Sequence, residues 1–156
     1  MEKVCRDWAK QAFGEGLVDA KYWDEFATNA QTAAAEVYKV KDFAAGEAKL
    51  KELLAQYAPK EIIAVGGEEN PALHDIYERI GKDGTQIYTD KFDIYDHRDS
   101  ADVGISTAEF CVAETGSLCV DNYSYEARVT SMLPFVNIVF VNANYIVKDV
   151  TVACQI

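Results

Sequence analysis

Four consecutive apolar residues, Ile62-Ile63-Ala64-Val65, run from Glu61 into the pair Gly66-Gly67. A strand with one wet face alternates apolar and polar side chains. A short run without alternation, ended by glycines, belongs to a strand covered on both faces, as in a parallel sheet between helices. Val136 to Val141 is a second run of this kind. Between and before these runs lie segments with helical periodicity and clear ends. Asp42 is placed to cap a helix over Phe43 to Tyr57, with Leu50, Leu53 and Leu54 as its buried stripe and Pro59 as its stop. Asn70-Pro71 opens a second helix with Pro near its first position, Gly81 and Gly84 end it, and Gln86 to Thr89 form a short strand. The pattern is that of an α/β protein.

The remaining segments fill in around this frame. Residues 1–13 carry Val4, Trp8, Ala12 and Phe13 near helical spacing, and residues 21–35 repeat it with Tyr22, Phe26, Ala30 and Ala33-Ala34. Both read as amphipathic helices whose aromatic stripes serve packing. Glu36 to Val40 reads as a short extended segment. Lys91 to Asp102 has aspartates around His97 and Arg98 but not the Gly and distal Glu of an EF-hand loop, so a solvated loop with a helix cap is expected. Tyr145 to Val147 resumes a strand after the Asn142 to Asn144 turn. The tail, Val150 to Ile156, alternates like an edge strand, and such an edge invites a homodimer.

Residues 103–136 hold the chemistry. Phe110 to Ala113 and Ser117 to Asp121 are β-prone runs separated by Glu114, Thr115 and Gly116. A three-residue loop with Gly last fits a hairpin, in which Ala113 pairs with Ser117 and Cys111 faces Cys119. The loop is either a hairpin turn alone or a cradle: Gly116 lets a ligand approach the backbone, and Glu114, Thr115 and Ser117 add a carboxylate and hydroxyls. Asn122 or Ser124 caps a helix from Tyr125 to Leu133, which Pro134 ends. Arg128 and Ser131 share one face of it. Arg128 either clamps a carboxylate or phosphate through both its donors or pairs with Glu114 or Asp121 to brace the fold. Gly66-Gly67, at the carboxyl end of its strand, is a second candidate pocket wall. It has neither the GxGxxG nor the GxxxxGK[ST] pattern, so no nucleotide cofactor is expected there.

With 156 residues, the chain is expected to form one domain: a helical segment over 1–35 and an α/β core over 36–156. A net charge of −11 opposes binding to nucleic acid, which needs Lys and Arg in excess, or to an anionic membrane. No apolar run is long enough to span a bilayer, and the charged start MEKVCRDWAK has no signal-peptide core, so the cytoplasm is the expected compartment. Cys5, Cys111, Cys119 and Cys154 form no Cys-x-x-Cys pair, and His74 and His97 are far from them in sequence. No metal or cofactor is therefore expected, and Cys111 and Cys119 are expected as packed thiols rather than a disulfide. His74 is expected as a surface or packed side chain.

The ordered set Gly104-Ile105, Ala108-Glu109-Phe110, the run Phe110 to Ser117, Arg128, Ser131-Met132-Leu133-Pro134 and the strand after it resembles the LUD domain (lactate utilisation) family, in particular its lactate utilisation protein C branch. The resemblance covers residues 102–149 most fully. It implies a three-layer α/β/α fold with a mixed sheet, similar to that of sugar-phosphate isomerases and CoA transferases. It also implies a subunit that binds a small organic anion and supports the oxidation of L-lactate to pyruvate with separate iron–sulfur partner proteins. Those partners would carry the clusters, since this chain has no cysteine pattern for one. Two alternatives stand beside this: an enzyme in which Glu114 is nucleophile or general base, and a shortened module serving only assembly. Members of the family continue into a Thr-Gly-Pro-Ser-Arg-type segment and a closing strand, whereas this sequence stops at Ile156, so a pocket completed by that segment is expected to be partial here.

Overall fold

In the computed structural model, which describes residues 16–156, a 3-10 turn (Ala20–Tyr22) leads into α1 (Trp23–Thr32). There follow α2 (Phe43–Tyr57), β1 (Glu61–Ala64), α3 (Pro71–Lys82), β2 (Gln86–Tyr88), α4 (Lys91–His97) and β3 (Val103–Thr107). Then come β4 (Phe110–Val112), β5 (Ser117–Cys119), α5 (Tyr125–Met132), β6 (Val136–Phe140), β7 (Ile146–Val147) and α6 (Val150–Ala153). The helix expected over residues 1–13 lies outside the described residues. The chain divides into two compact units. One holds the described residues up to Lys39, Ala108–Asp121 and Val141–Ile156; the other holds Val40–Thr107 and Asn122–Phe140.

The second unit is built on the non-alternating runs. Its sheet has the order β2-β1-β3-β6 with every pairing parallel, Ile62 lying between Ile87 and Val103, and Ile105 beside Ile138. Successive strand residues point to opposite faces, so each face needs its own cover. Ile62, Ala64, Val103 and Ile105 pack against Leu50 and Leu54 of α2 and Leu73, Ile76 and Ile80 of α3. On the other face Ile63 packs with Ile94 of α4 and Val129 of α5. These are three layers, helix on sheet on helix. The expected mixture of strand directions is absent from this sheet and belongs to the other unit.

Side-chain oxygens start the helices as the sequence suggests. Asp42 accepts from the Ala45 amide at 2.8 Å, Asn70 from Ala72 at 3.1 Å, and Ser124 from Ala127 at 3.1 Å. Lys91–His97 is a helix rather than a loop: Asp90 caps it through the Phe92 amide, and Ile94, fully buried, anchors it. Residues 36–40, expected to be extended, belong to no helix or strand.

In the first unit, β4 lies between β5, antiparallel, and β7, parallel. One face, with Cys111, Ala113 and Ile146, packs against Phe26 and Ala30 of α1; the other, with Phe110, Val112 and Val147, packs against Val152, Ala153 and Ile156. Two expectations fail here. The hairpin register is shifted by one: Val112 opposes Ser117, Cys111 opposes Leu118, and Phe110 opposes Cys119. The Ala113 amide is bonded to the Val147 carbonyl at 2.9 Å, and Gly116 closes the turn on Val112, so Ala113 belongs to the loop. Cys111 and Cys119 consequently lie on opposite faces and do not meet. The tail is a helical turn rather than an edge strand. Asp149 caps it through the Val152 amide at 2.9 Å, and Val152, Ala153 and Ile156 are partly buried at helical spacing. The strand edge on which the expected homodimer relied is absent.

Candidate functional site

Strand order fixes where the parallel sheet opens. From β1 the chain crosses by α3 to β2 on one side, then returns by α4 on the opposite face to β3 on the other side. The connections of the two central strands thus diverge between β1 and β3, and ligands of open α/β sheets lie outside the carboxyl ends at such a point. The residues there are Val65, Gly66 and Gly67 after β1, and Ser106 and Thr107 at the end of β3.

Gly66 takes φ +92, and a Cβ on it would stand 2.7 Å from Thr107 Cγ2, so only glycine lets the two strand ends approach this closely. A Cβ on Gly67 would meet the Tyr77 ring at 3.3 Å. Tyr77 donates its hydroxyl to the Val65 carbonyl at 2.8 Å, and burial pushes the phenol above its ordinary range, so it serves as a donor that holds the strand end. The Asn70 amide donates to the Gly66 carbonyl at 3.1 Å, and the Asn70 side chain caps α3, so that helix begins at the same place. Glu68 and Glu69 are exposed on the connecting turn. Beneath, Ser106, buried, donates to Asn137 Oδ1 at 3.1 Å, and Asn137 Nδ2 reaches the Ser131 carbonyl at 3.3 Å.

The hairpin loop presents a different picture. Glu114, Thr115 and Ser117 are exposed. Gly116, at φ +67, lies against helix backbone: a Cβ there would be 2.2 Å from the Ala30 nitrogen. The close approach this glycine permits is therefore that of α1. Asn29 of α1, a residue to which nothing in its sequence context drew attention, donates to the carbonyls of Ala113 at 2.9 Å and Glu114 at 3.1 Å. Glu114 accepts from the Val150 amide at 3.4 Å, in the first turn of α6, where a carboxylate suits the unpaired amides.

Arg128 braces the turn that precedes it. Its Nη1 donates to the carbonyls of Asn122 and Tyr123, both at 3.0 Å, and so closes the turn that leads into its own helix. Ser131 donates to the Ala127 carbonyl at 2.9 Å, with the Asn122 side chain at 3.1 Å from the same hydroxyl. Glu114, Thr115, Gly116 and Ser117 fall in the first unit, and Arg128, Ser131, Gly66 and Gly67 in the second.

A polar cluster absent from the sequence reading lies at the amino end of β1. Glu61 accepts from Ser100 and lies 3.2 Å from His97 Nδ1, and the His97 ring stacks on Tyr88 with 3.7 Å between centroids. The Ser100 hydrogen bond first, and His97 second, hold the Glu61 carboxyl below its ordinary range. Asp102 receives the Lys60 amide at 2.8 Å beside it. These bonds tie the end of α4 and the entry to β3 onto β1. His74 is exposed on α3.

A parallel, doubly wound sheet covered by helices on both faces, with glycines at its switch point, defines an α/β protein. More particularly, the chain belongs to the LUD domain family, a family related to lactate utilisation, whose model matches residues 23–156. No curated protein and no solved structure matches it.

Proposed function

We propose that this chain is a cytoplasmic lactate-utilisation subunit that binds a small organic anion and supports the oxidation of L-lactate to pyruvate with iron–sulfur partner proteins. Family membership supports the physiological setting. The observation that carries the binding reading is the switch point between β1 and β3, where Gly66, Gly67 and Thr107 bring main chain and a hydroxyl together at the carboxyl ends of the strands. Conversion of lactate to pyruvate releases two electrons and two protons. The electrons go to the partners' clusters, and this chain's part is to hold the carboxylate-bearing substrate or product. Glu68 and Glu69 beside the opening oppose an anion, so binding is expected to be weak at low ionic strength and to improve as salt screens them.

Thermal unfolding with L-lactate and with pyruvate tests this. A ligand at about 100 times its dissociation constant adds roughly 2.7 kcal/mol, a shift of several degrees. The wild-type chain and Glu114→Gln are expected to show the shift, and Thr107→Val, which keeps its shape and loses its hydroxyl, to lose most of it. If Glu114→Gln rather than Thr107→Val removes the shift, the site is the hairpin loop, as in the enzyme alternative. No shift with either anion in any variant rejects the binding role.

A further inference from the structure

The outer surface of the α4–α5 layer carries side chains that the buried layers do not use. On α5, Val129 and Thr130 turn inward, while Tyr125, Arg128 and Met132, at spacing i, i+3 and i+7, share the outward face. Met132 is 71% exposed, Leu133 54%, and Phe135, between Pro134 and the start of β6, is 100% exposed. Phe92, 69% exposed, and Tyr95 lie three apart on the neighbouring α4, and the Tyr95 and Tyr125 rings are 5.7 Å apart. The six residues Phe92, Tyr95, Tyr125, Met132, Leu133 and Phe135 belong to one unit and form an apolar, largely aromatic band across its surface.

Taking about 200 Å² for a fully exposed large side chain, the band presents roughly 700 Å². The largest apolar patch of an ordinary monomer is about 300–600 Å², whereas each side of a standard interface buries about 800 Å². The band is thus close to one partner's share. Its charges indicate the partner. Lys91 Nζ lies 4.9 Å over the Phe92 ring, and the Arg98 guanidinium lies 4.1 Å over Tyr95. With Arg128 they are interleaved with Asp93, Asp96, Asp99 and Glu126, so this surface carries both signs. A twofold contact needs both signs on one surface because each patch faces itself. Tyr, Met and Arg are also the residues that interfaces concentrate.

We propose that this face, centred on Phe135 and Met132, is the surface through which two copies of the chain form a symmetric dimer. Phe135 inserts into the aromatic band of the other copy, and Arg98 and Arg128 meet Asp96 and Asp99 across the rim. The interface uses no strand edge.

Sedimentation equilibrium of the full chain at about 50 µM tests it, a concentration at which a micromolar dimer is almost fully formed. The wild-type mass is expected near twice 17.3 kDa. Phe135→Asp is expected to raise the dissociation constant about tenfold or more, as loss of a central anchor does. Phe135 is wholly exposed, so the unfolding midpoint of that variant in dilute solution should match the wild type, which separates lost association from lost folding. Tyr57→Asp adds the same charge on an exposed aromatic of α2 and should leave the dimer intact. A wild-type chain that stays monomeric overturns the proposal, whether or not the face captures some other protein. A dimer that tolerates Phe135→Asp overturns it equally.

Discussion

Cys111 lies between the α1 helix and the strands of the first unit, fully buried, and burial pushes its thiol up to about 12. The thiolate is the reactive species, so a shift of this size removes Cys111 from alkylation chemistry at neutral pH. Cys119 is only partly covered and is also pushed up, by burial first and by Glu109 and Asp121 after it, while Cys154 is exposed. Among the cysteines of the described residues, iodoacetamide on the native chain is expected to modify Cys154 first, Cys119 more slowly, and Cys111 only after denaturant is added. Peptide mass spectrometry reads the order, and Cys111 labelled as fast as Cys154 would contradict it. The same burial sets a pH dependence. Above about 9 the unfolded thiol loses its proton while the folded one keeps it, so the folded state binds more protons and loses stability as pH rises towards 12. The Tyr77 phenol, also raised by burial, acts in the same direction at higher pH. Urea midpoints are therefore expected to fall between about pH 8 and 11, and to fall less in Cys111→Ala.

At the scale of elements, Gly104 controls how closely α5 can lie on β3. A Cβ there would stand 2.1 Å from the Thr130 carbonyl oxygen and 3.0 Å from Pro134 Cγ. A helix carbonyl cannot retreat alone, so Gly104→Ala must displace α5, at about 3 kcal/mol, the upper part of the usual overpacking range. Gly84, at φ +92 with nothing within 4 Å, makes the contrast: Gly84→Ala pays only the left-handed backbone cost of about 1 kcal/mol. Urea titrations should rank the two in that order, and a Gly104→Ala midpoint equal to wild type would mean the layers are not this tight. Elements that carry an unbroken apolar run or a capping side chain in place were legible in the sequence. Ile62 and Ile63 announce β1, Asp42 and Asn70 announce the starts of α2 and α3, and Val136 onward announces β6. The failures have two causes: a deciding partner that is remote, and a local signal hidden by a louder pattern. Nothing near Ala113 shows that its amide is taken by Val147, so the hairpin slipped by one residue. The alternating Val150-Thr151-Val152 masked a helical turn whose cap, Asp149, stood in plain view. The aspartates of Lys91–His97 concealed Ile94, the single side chain that anchors α4. For the site, Gly66-Gly67 was legible as a junction, but Thr107 beside it depends on strand order, which local patterns do not contain.

Across the whole molecule, charge and apolar surface pull in opposite directions. Each copy carries −11, so two approaching copies repel wherever the solution does not screen them. At about 0.01 M salt the Debye length is roughly 30 Å, and at about 0.15 M it is roughly 8 Å. The proposed rim pairs of Arg98 and Arg128 with Asp96 and Asp99 work against this, yet exposed ion pairs are each worth only about 0–1 kcal/mol and weaken in the same salt. Repulsion between the net charges acts over the whole surface, and burial of the Phe135 band does not depend on simple salt, so the net repulsion decides the sign. The dimer is expected to tighten as sodium chloride rises from about 0.01 M to 0.15 M and then to level off once the Debye length is shorter than the spacing between the acidic surfaces. Dissociation constants measured by sedimentation at several salt concentrations give the slope. A constant that weakens steadily with salt would mean that charge pairs, and not Phe135 and its neighbours, hold the two copies together, and the apolar band would then need a different occupant.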